Sequence, residues 1–222
     1  MTPHYRTLKK GARGTDVRAV QRTLKQRGIR KRKTSGYYGP GTINQVKEFQ
    51  KRNKLKQDGV YGPATHRALE KHFDLGAKRM YRTYTVIHEA MFYIRNAAYV
   101  HYVQTRPMTD MGPQPNLNNY CDCSEFATTL FKNAGMPDPN GFGYNGYGFT
   151  GTMILHGTRV SDIRKAVPGR SLVFYGRDSA GNPTHVAVLI SEYTVASHGS
   201  ELGPYHLNYR YRHDVHSIRV YG

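Results

Sequence analysis

The chain has 222 residues, 38% hydrophobic and 12% aromatic, enough for a packed core in one large domain or two small ones. No apolar run reaches the ~18 residues that a membrane-crossing helix needs, and the start, MTPHYRTLKKGARG, lacks the apolar centre of a secretory signal. A formal net charge of +18 points to polyanionic partners: nucleic acid, an acidic membrane surface or an anionic cell-wall polymer. Part of the charge is concentrated early, in KQRGIRKRK (residues 25–33).

Residues 1–75 read as a small helical unit. In GTDVRAVQRTLKQRG, Thr15 or Asp16 is a capping candidate and Gly28 a stop, with Val17, Val20, Gln21 and Leu24 on one face. GPGTINQVKEFQKRNKL repeats the plan with Ile43, Val46, Phe49 and Gln50 inward. GPATHRALEKHF repeats it again with Ala68, Leu69 and Phe73. GYYGPGT (36–42) and GVYGPAT (59–65) echo each other, each a Gly-Pro turn feeding a helix, which suggests a duplicated turn–helix element.

These phrases together, over about 65 residues, resemble the three-helix peptidoglycan-binding domain of many cell-wall hydrolases. The resemblance implies bacterial peptidoglycan as the partner. It also implies Tyr38 and Tyr61, beside the repeated turns, as candidate contacts in a shallow groove; the alternative is that they only pack those turns.

Residues 76–84 read as a charged connector. From 85, TVIHEAMFYIRNAAYVHYVQ predicts an amphipathic helix with Ile87, Ala90, Met91, Ile94 and Ala98 at helical spacing. TRPMTDMGPQPNLNNY predicts a loop, and NGFGYNGYGFTG (140–151) an irregular segment rich in glycine and aromatic rings. SLVFYG, HVAVLIS and TVASH read as strands, so residues 85–222 are expected to form an α+β domain around an antiparallel sheet.

The only two cysteines lie in YCDCSEFATTLFKNAG (120–135). Side chains one residue apart in extended backbone point away from each other, so a bridge between them would be strained and at least one thiol is expected free. Phe126, Ala127, Leu130 and Phe131 mark a helix that stops at Gly135 and puts Cys123 in its first turn. Free N–H groups and the helix dipole there favour the thiolate, which singles out Cys123 over Cys121. A thiol nucleophile needs a base. His185 opens an apolar strand and His198 ends the next, so two antiparallel neighbours could bring both to one spot. His185 would then face the sulfur and His198 would orient its ring; either histidine could instead be structural.

DCSEF, PGRSLVFY and THVAVLI, in that order, resemble the papain-like cysteine hydrolases of the NlpC and CHAP kind, which cut peptidoglycan amide bonds. The resemblance implies a papain-like fold, Cys123 as nucleophile and His185 as base. It puts a third, orienting position about a dozen residues later, where His198 is the nearest match and Ser197 would face the other way. SHGSELGP resembles lysins of phages infecting actinobacteria, which implies an endolysin held in the host cytoplasm until lysis and then acting on the wall. Glu125 stands where the family has glycine, which places a carboxylate near the nucleophile; on an exposed helix face it would meet a substrate amine or be only a solvated side chain. Tyr120 and Ser124 are candidates to join the Cys123 N–H in binding an oxyanion. No cofactor or metal is expected. The alternative in which Cys121, Cys123, His185 and His198 hold zinc lacks the second C-x-x-C arm. Rival readings are a nucleic-acid-binding protein, for which no module signature occurs, and a non-catalytic cationic wall-binding protein.

Overall fold

The computed structural model describes residues 6–29, 33–108, 118–199 and 203–222. Residues 30–32 of the basic run, 109–117 of the proline-containing loop and 200–202 of SHGSELGP lie outside the described residues. The chain divides into two compact units, Tyr5–Thr85 and Val86–Gly222.

The first unit contains α1 (Thr15–Gln26), α2 (Pro40–Arg52), α3 (Pro63–Leu69) and a 3-10 turn at Glu70–His72. α4 (Leu75–Arg95) follows, and the unit boundary falls within it. Residues 76–84, expected as a connector, are therefore helical, and that helix starts at Leu75 rather than at residue 85. Val17, Val20, Leu24, Val46, Phe49 and Leu69 fill one core with Leu8, Tyr38 and Tyr61. The cap of α1 is Gly14, not Thr15 or Asp16. A side chain at Gly14, which has φ +149°, would stand 2.7 Å from the Tyr84 ring, and Asp16 turns its carboxylate to the Val17 N–H (2.7 Å) and Arg6 (2.9 Å).

The sequence echo has a structural basis. Gln21 accepts the N–H groups of Ser35 and Gly36 (2.8 and 3.0 Å) and donates to the Tyr37 carbonyl and Thr42 Oγ1 (2.9 and 3.0 Å). Gln50 does the same one helix later: it accepts the Gly59 N–H (2.9 Å) and donates to the Val60 carbonyl and Thr65 Oγ1 (both 3.0 Å). Each Gly-Pro turn is thus tied to the preceding helix by one buried amide, which satisfies backbone groups that burial would otherwise leave unpaired.

In the second unit α4 ends at Arg95, and a 3-10 turn leads to β1 (Val100–Tyr102), which pairs in parallel with β2 (Asn119–Cys121). Then come α5 (Cys123–Asn133), α6 (Thr150–Met153), β3 (Thr158–Val160), β4 (Ser171–Tyr175), β5 (His185–Leu189), β6 (Thr194–Ser197), β7 (Tyr205–Asn208) and β8 (Val215–Val220). The last six strands form one antiparallel sheet in the order β3-β8-β4-β5-β6-β7. The three strands expected from sequence, β4 to β6, are consecutive within it. On one face, Leu172, Phe174, Val186, Val188 and Ala196 share a core with Phe126, Ala127, Leu130 and Phe131 of α5. The alternate residues Val173, Tyr175, Ala187, Leu189 and Val195 pack on the other face with Ile163, Tyr209 and Ile218. Burying a side chain such as Phe126 or Leu130 contributes about 1.5–3 kcal/mol, and this fixes the first turn of α5 against the sheet.

Candidate active site

α5 begins at Cys123 because Asp122 caps it. The Asp122 backbone is extended and its Oδ1 accepts the Glu125 N–H (2.8 Å) and the Ser124 hydroxyl (2.7 Å). Arg106 fixes the other carboxylate oxygen: its Nη2 donates to Asp122 Oδ2 (2.9 Å) and to Ser124 Oγ (2.8 Å), while its Nε donates to the Gly148 carbonyl (2.8 Å). One guanidinium therefore holds both the cap of the cysteine helix and the glycine-rich aromatic loop.

The Cys123 thiol is 6% exposed. Burial pushes it up to about 11, the Asp122 charge adds to the rise, and the N–H groups of Val186, Ser124 and Cys123 itself pull the other way. The helix tip acts in the direction expected from sequence, yet desolvation outweighs it, so the resting sulfur is a thiol. Cys121, at the end of β2, is fully buried and pushed up further, by desolvation first and the neighbouring Glu125 charge second. Among the described residues no three His, Cys, Asp or Glu side chains come together as a metal site.

The Val186 N–H that serves the sulfur belongs to β5, and His185 is the residue before it. His185 Nε2 lies 2.8 Å from Ser197 Oγ, and that hydroxyl lies 3.0 Å from the Tyr211 hydroxyl. Strand parity explains the arrangement. Ala187 pairs with Ser197 across β5 and β6, so Ser197 shares a sheet face with His185 two residues along. His198, expected as the orienting group, falls on the opposite face. It is fully buried between Tyr102 (5.6 Å) and Phe126 (5.9 Å), and neither ring nitrogen has a hydrogen-bond partner among the described residues. Burial pushes His198 below the usual histidine range, against the opposing pull of the nearby backbone carbonyls of His101, Gly203 and Cys121. The side chain that holds His185 Nε2 is thus Ser197, not His198.

An open cavity of about 420 Å³ is lined by His185, Thr184, Tyr102, Tyr205 and Tyr211. Tyr102 links this cleft to Cys123: burial raises its phenol first, and the nearby Cys123 charge raises it further.

Other expected site residues are placed differently. Tyr38 and Tyr61 are fully buried and cannot touch a glycan; the Tyr38 hydroxyl donates to the Gly59 carbonyl (2.9 Å) and the Tyr61 hydroxyl meets His66 Nδ1 (2.7 Å), so both pack the turns. Ser124 is 2% exposed and its hydroxyl is committed to Asp122 and Arg106, not to an oxyanion. Glu125 is fully buried near Cys121, out of reach of a substrate amine, because its side of the first turn faces inward. Tyr120 is 51% exposed with its ring against His101 (5.1 Å). Sequence reasoning missed Tyr102, Arg106 and Tyr211. Tyr102 sits on a strand of three residues, too short for a period, and the other two lie in irregular backbone.

Residues 13–69 match a family model described as a peptidoglycan binding domain. The chain is similar to the N-acetylmuramoyl-L-alanine amidase CwlL of Bacillus licheniformis, with 42% identity over 74 residues, 32% of this chain and 20% of that protein. It thus spans about one fifth of the length of that relative. Among solved structures it is similar to the peptidoglycan hydrolase RipB of Mycobacterium tuberculosis, with a TM-score of 0.44 and 16% identity over 80% of each chain. It is also similar to the NlpC/p60 domain of the peptidoglycan hydrolase SagA, with a TM-score of 0.42 and 18% identity over 63% of this chain and 98% of that one.

Proposed function

We propose that the chain is a peptidoglycan hydrolase that cuts an amide bond of the bacterial wall through a Cys123 thioester, with the first unit holding the enzyme on its insoluble substrate. The observation that carries this reading is the thiol at the first position of α5, served by the N–H of Val186 beside a histidine whose other side is held by Ser197. The match of residues 13–69 to a peptidoglycan-binding model supports the substrate class.

The resting thiol is protonated, so the base must take its proton during attack. In this reading the His185 hydrogen sits on Nε2, 2.8 Å from Ser197 Oγ, which leaves Nδ1 as the atom that takes the Cys123 proton. The sulfur adds to the peptide carbonyl. We assign the oxyanion to the Cys123 N–H and to the Tyr102 hydroxyl, whose phenol feels the Cys123 charge. His185 Nδ1–H then protonates the departing amine, and the C–N bond breaks to give the thioester. Water, deprotonated by His185, attacks the thioester; the C–S bond breaks, the acid leaves and the thiol is restored. Throughout, Ser197 holds the ring and Tyr211 holds Ser197.

Tethering by the first unit raises the local concentration of wall substrate without new catalytic contacts, and the net charge of +18 adds salt-sensitive attraction to anionic wall polymers. In a phage such an enzyme is an endolysin, released onto the wall at lysis.

The test is digestion of purified walls, with released fragments identified by mass spectrometry. Cys123→Ala abolishes release while still co-sedimenting with walls; Cys121→Ala retains most activity. Equal losses in the two folded variants would remove the assignment. The fragment masses decide between the muramoyl amide, a stem-peptide bond and a cross-bridge.

A further inference from the structure

The glycine-rich aromatic segment has no part in the chemistry above, yet it is tightly built. Asp138 accepts the N–H groups of Asn140, Phe142 and Tyr144 (2.9, 3.0 and 2.9 Å). Asn140 donates to Thr128 Oγ1 on α5 (3.0 Å) and accepts from Thr152 Oγ1 (2.8 Å). Arg106 grips the Gly148 carbonyl with the guanidinium that also grips Asp122. So anchored, the loop holds three aromatic rings in solvent: Phe142, Tyr147 and Phe149 are 47%, 54% and 50% exposed. Exposed rings on a fixed loop are ready to bind, because their ordering cost is already met in folding.

Between this loop and α5 lies a separate cavity of about 280 Å³. Tyr147 offers it a ring, Asn145 an amide, Thr129 a hydroxyl group, Lys132 an ammonium and Pro107 an apolar edge, while Thr128 lines it with its hydroxyl already bonded to Ser124 and Asn140. Ser124, Thr128 and Lys132 follow at four-residue spacing and mark one face of α5, which Arg106 contacts at Ser124. The cavity begins five positions and ends nine positions beyond Cys123, roughly 8–14 Å along the helix axis.

We propose that this cavity is a saccharide subsite that takes one N-acetylated sugar ring of the wall glycan, its face on Tyr147 and its hydroxyl and acetamido groups on Asn145, Thr129 and Lys132. A sugar ring presents an apolar C–H face and a polar rim, which matches one aromatic ring bordered by amide, hydroxyl and ammonium groups. A nucleic acid would want several cations, and this cavity has one on its wall. The proposal rests on the hydrolase reading and deepens it. A sugar seated roughly 8–14 Å from the sulfur puts about two to four extended residues between glycan and nucleophile, which favours cleavage within the stem peptide over the muramoyl amide.

Two measurements on the full chain test it. In the first, amide resonances are followed while a soluble chitotetraose of N-acetylglucosamine is added. Signals of Thr128, Thr129 and Asn145 shift in the parent protein and stay still in Tyr147→Ala; no movement at these positions in the parent overturns the subsite. In the second, kcat and KM are compared for a stem peptide with and without its disaccharide. The saccharide-bearing substrate has a KM about tenfold lower, and Tyr147→Ala erases that difference while leaving turnover of the bare peptide unchanged. A preference that survives Tyr147→Ala, or no preference at all, overturns the proposal. Loss of turnover on both substrates in the parent counts against the hydrolase reading instead, and the resonance map then decides the subsite by itself.

Discussion

Ser197 and His198 are adjacent in sequence and face opposite sides of one sheet, so substituting each separately tests which of them orients the base. Ser197→Ala removes the hydroxyl 2.8 Å from His185 Nε2 and leaves the strand intact. In the transition state that imidazole carries a positive charge, and a hydrogen bond to a charged group contributes about 1.5–3 kcal/mol. The expected loss in kcat is therefore about 10- to 150-fold, with little change in KM. Tyr211→Phe acts one step further away, on a neutral hydroxyl, and costs about 2- to 10-fold.

His198→Phe should behave differently. Its imidazole is fully buried, packed on Tyr102 and Phe126, with neither nitrogen bonded among the described residues. Replacing it by an apolar ring of similar shape keeps that packing and gives up the ring's approach to the backbone carbonyls of His101, Gly203 and Cys121, so stability at neutral pH changes little and kcat stays within about twofold. The pH dependence follows from the lowered pKa of His198. The folded state keeps the ring neutral while the unfolded chain takes up a proton below about 6.5. Its contribution to stability is thus full above that value and falls as pH drops, and the Phe variant gains on the parent between pH 7 and 5. The assays are initial rates of amine release from purified walls and thermal unfolding at both pH values. A folded His198→Phe protein without turnover, beside a fully active Ser197→Ala protein, would refute the reasoning.

Further expectations concern the thiol and the repeated turns. Because burial pushes Cys123 up to about 11, its alkylation by iodoacetamide should climb about tenfold per pH unit between 7 and 10; a plateau below pH 8 would show a sulfur ionised at rest. Gln50→Leu strands the buried Gly59 N–H, while the Val60 carbonyl keeps the Thr65 hydroxyl, and at about 1–3 kcal/mol for one unpaired group thermal unfolding should reveal a loss of about 1–3 kcal/mol. Tyr38→Phe forfeits one bond to Gly59, about 1 kcal/mol, and should co-sediment with walls as the parent does. Reduced binding by a folded Tyr38→Phe protein would return that hydroxyl to the glycan groove.

The elements that read clearly from sequence are those whose pattern is local. α2 and α3 announce themselves by Gly-Pro entries and apolar spacing, and β4 and β5 by apolar runs that follow Ser171 and His185, buried at every position. β8 was invisible for the opposite reason: VHSIRV carries a histidine and an arginine, and it becomes a strand only by lying between β3 and β4. β1 and β2 are three residues each and exist through pairing with one another. The echo of two Gly-Pro turns was legible, but its meaning for Tyr38 and Tyr61 was not. Gln21 and Gln50 draw the turns onto the helices, and that packing carries the tyrosines inward.

In the candidate site the same division separates what periodicity fixes from what tertiary contact fixes. The position of Cys123 at the helix start follows from Asp122 and the apolar face behind it, all within ten residues of chain. The identity of the orienting group hangs on strand parity, where a shift of one residue moves a side chain to the other face of the sheet. A histidine is chemically the more suggestive residue, so composition argued for His198. The Ala187–Ser197 register brings the serine to His185 and leaves His198 in the core. A hydroxyl in this place is also chemically distinct from a carboxylate. It can accept from Nε2–H and steer the ring, but it brings no full negative charge to stabilise the imidazolium, which is why the loss expected for Ser197→Ala is tens-fold rather than the roughly ten-thousandfold seen when a triad carboxylate is neutralised.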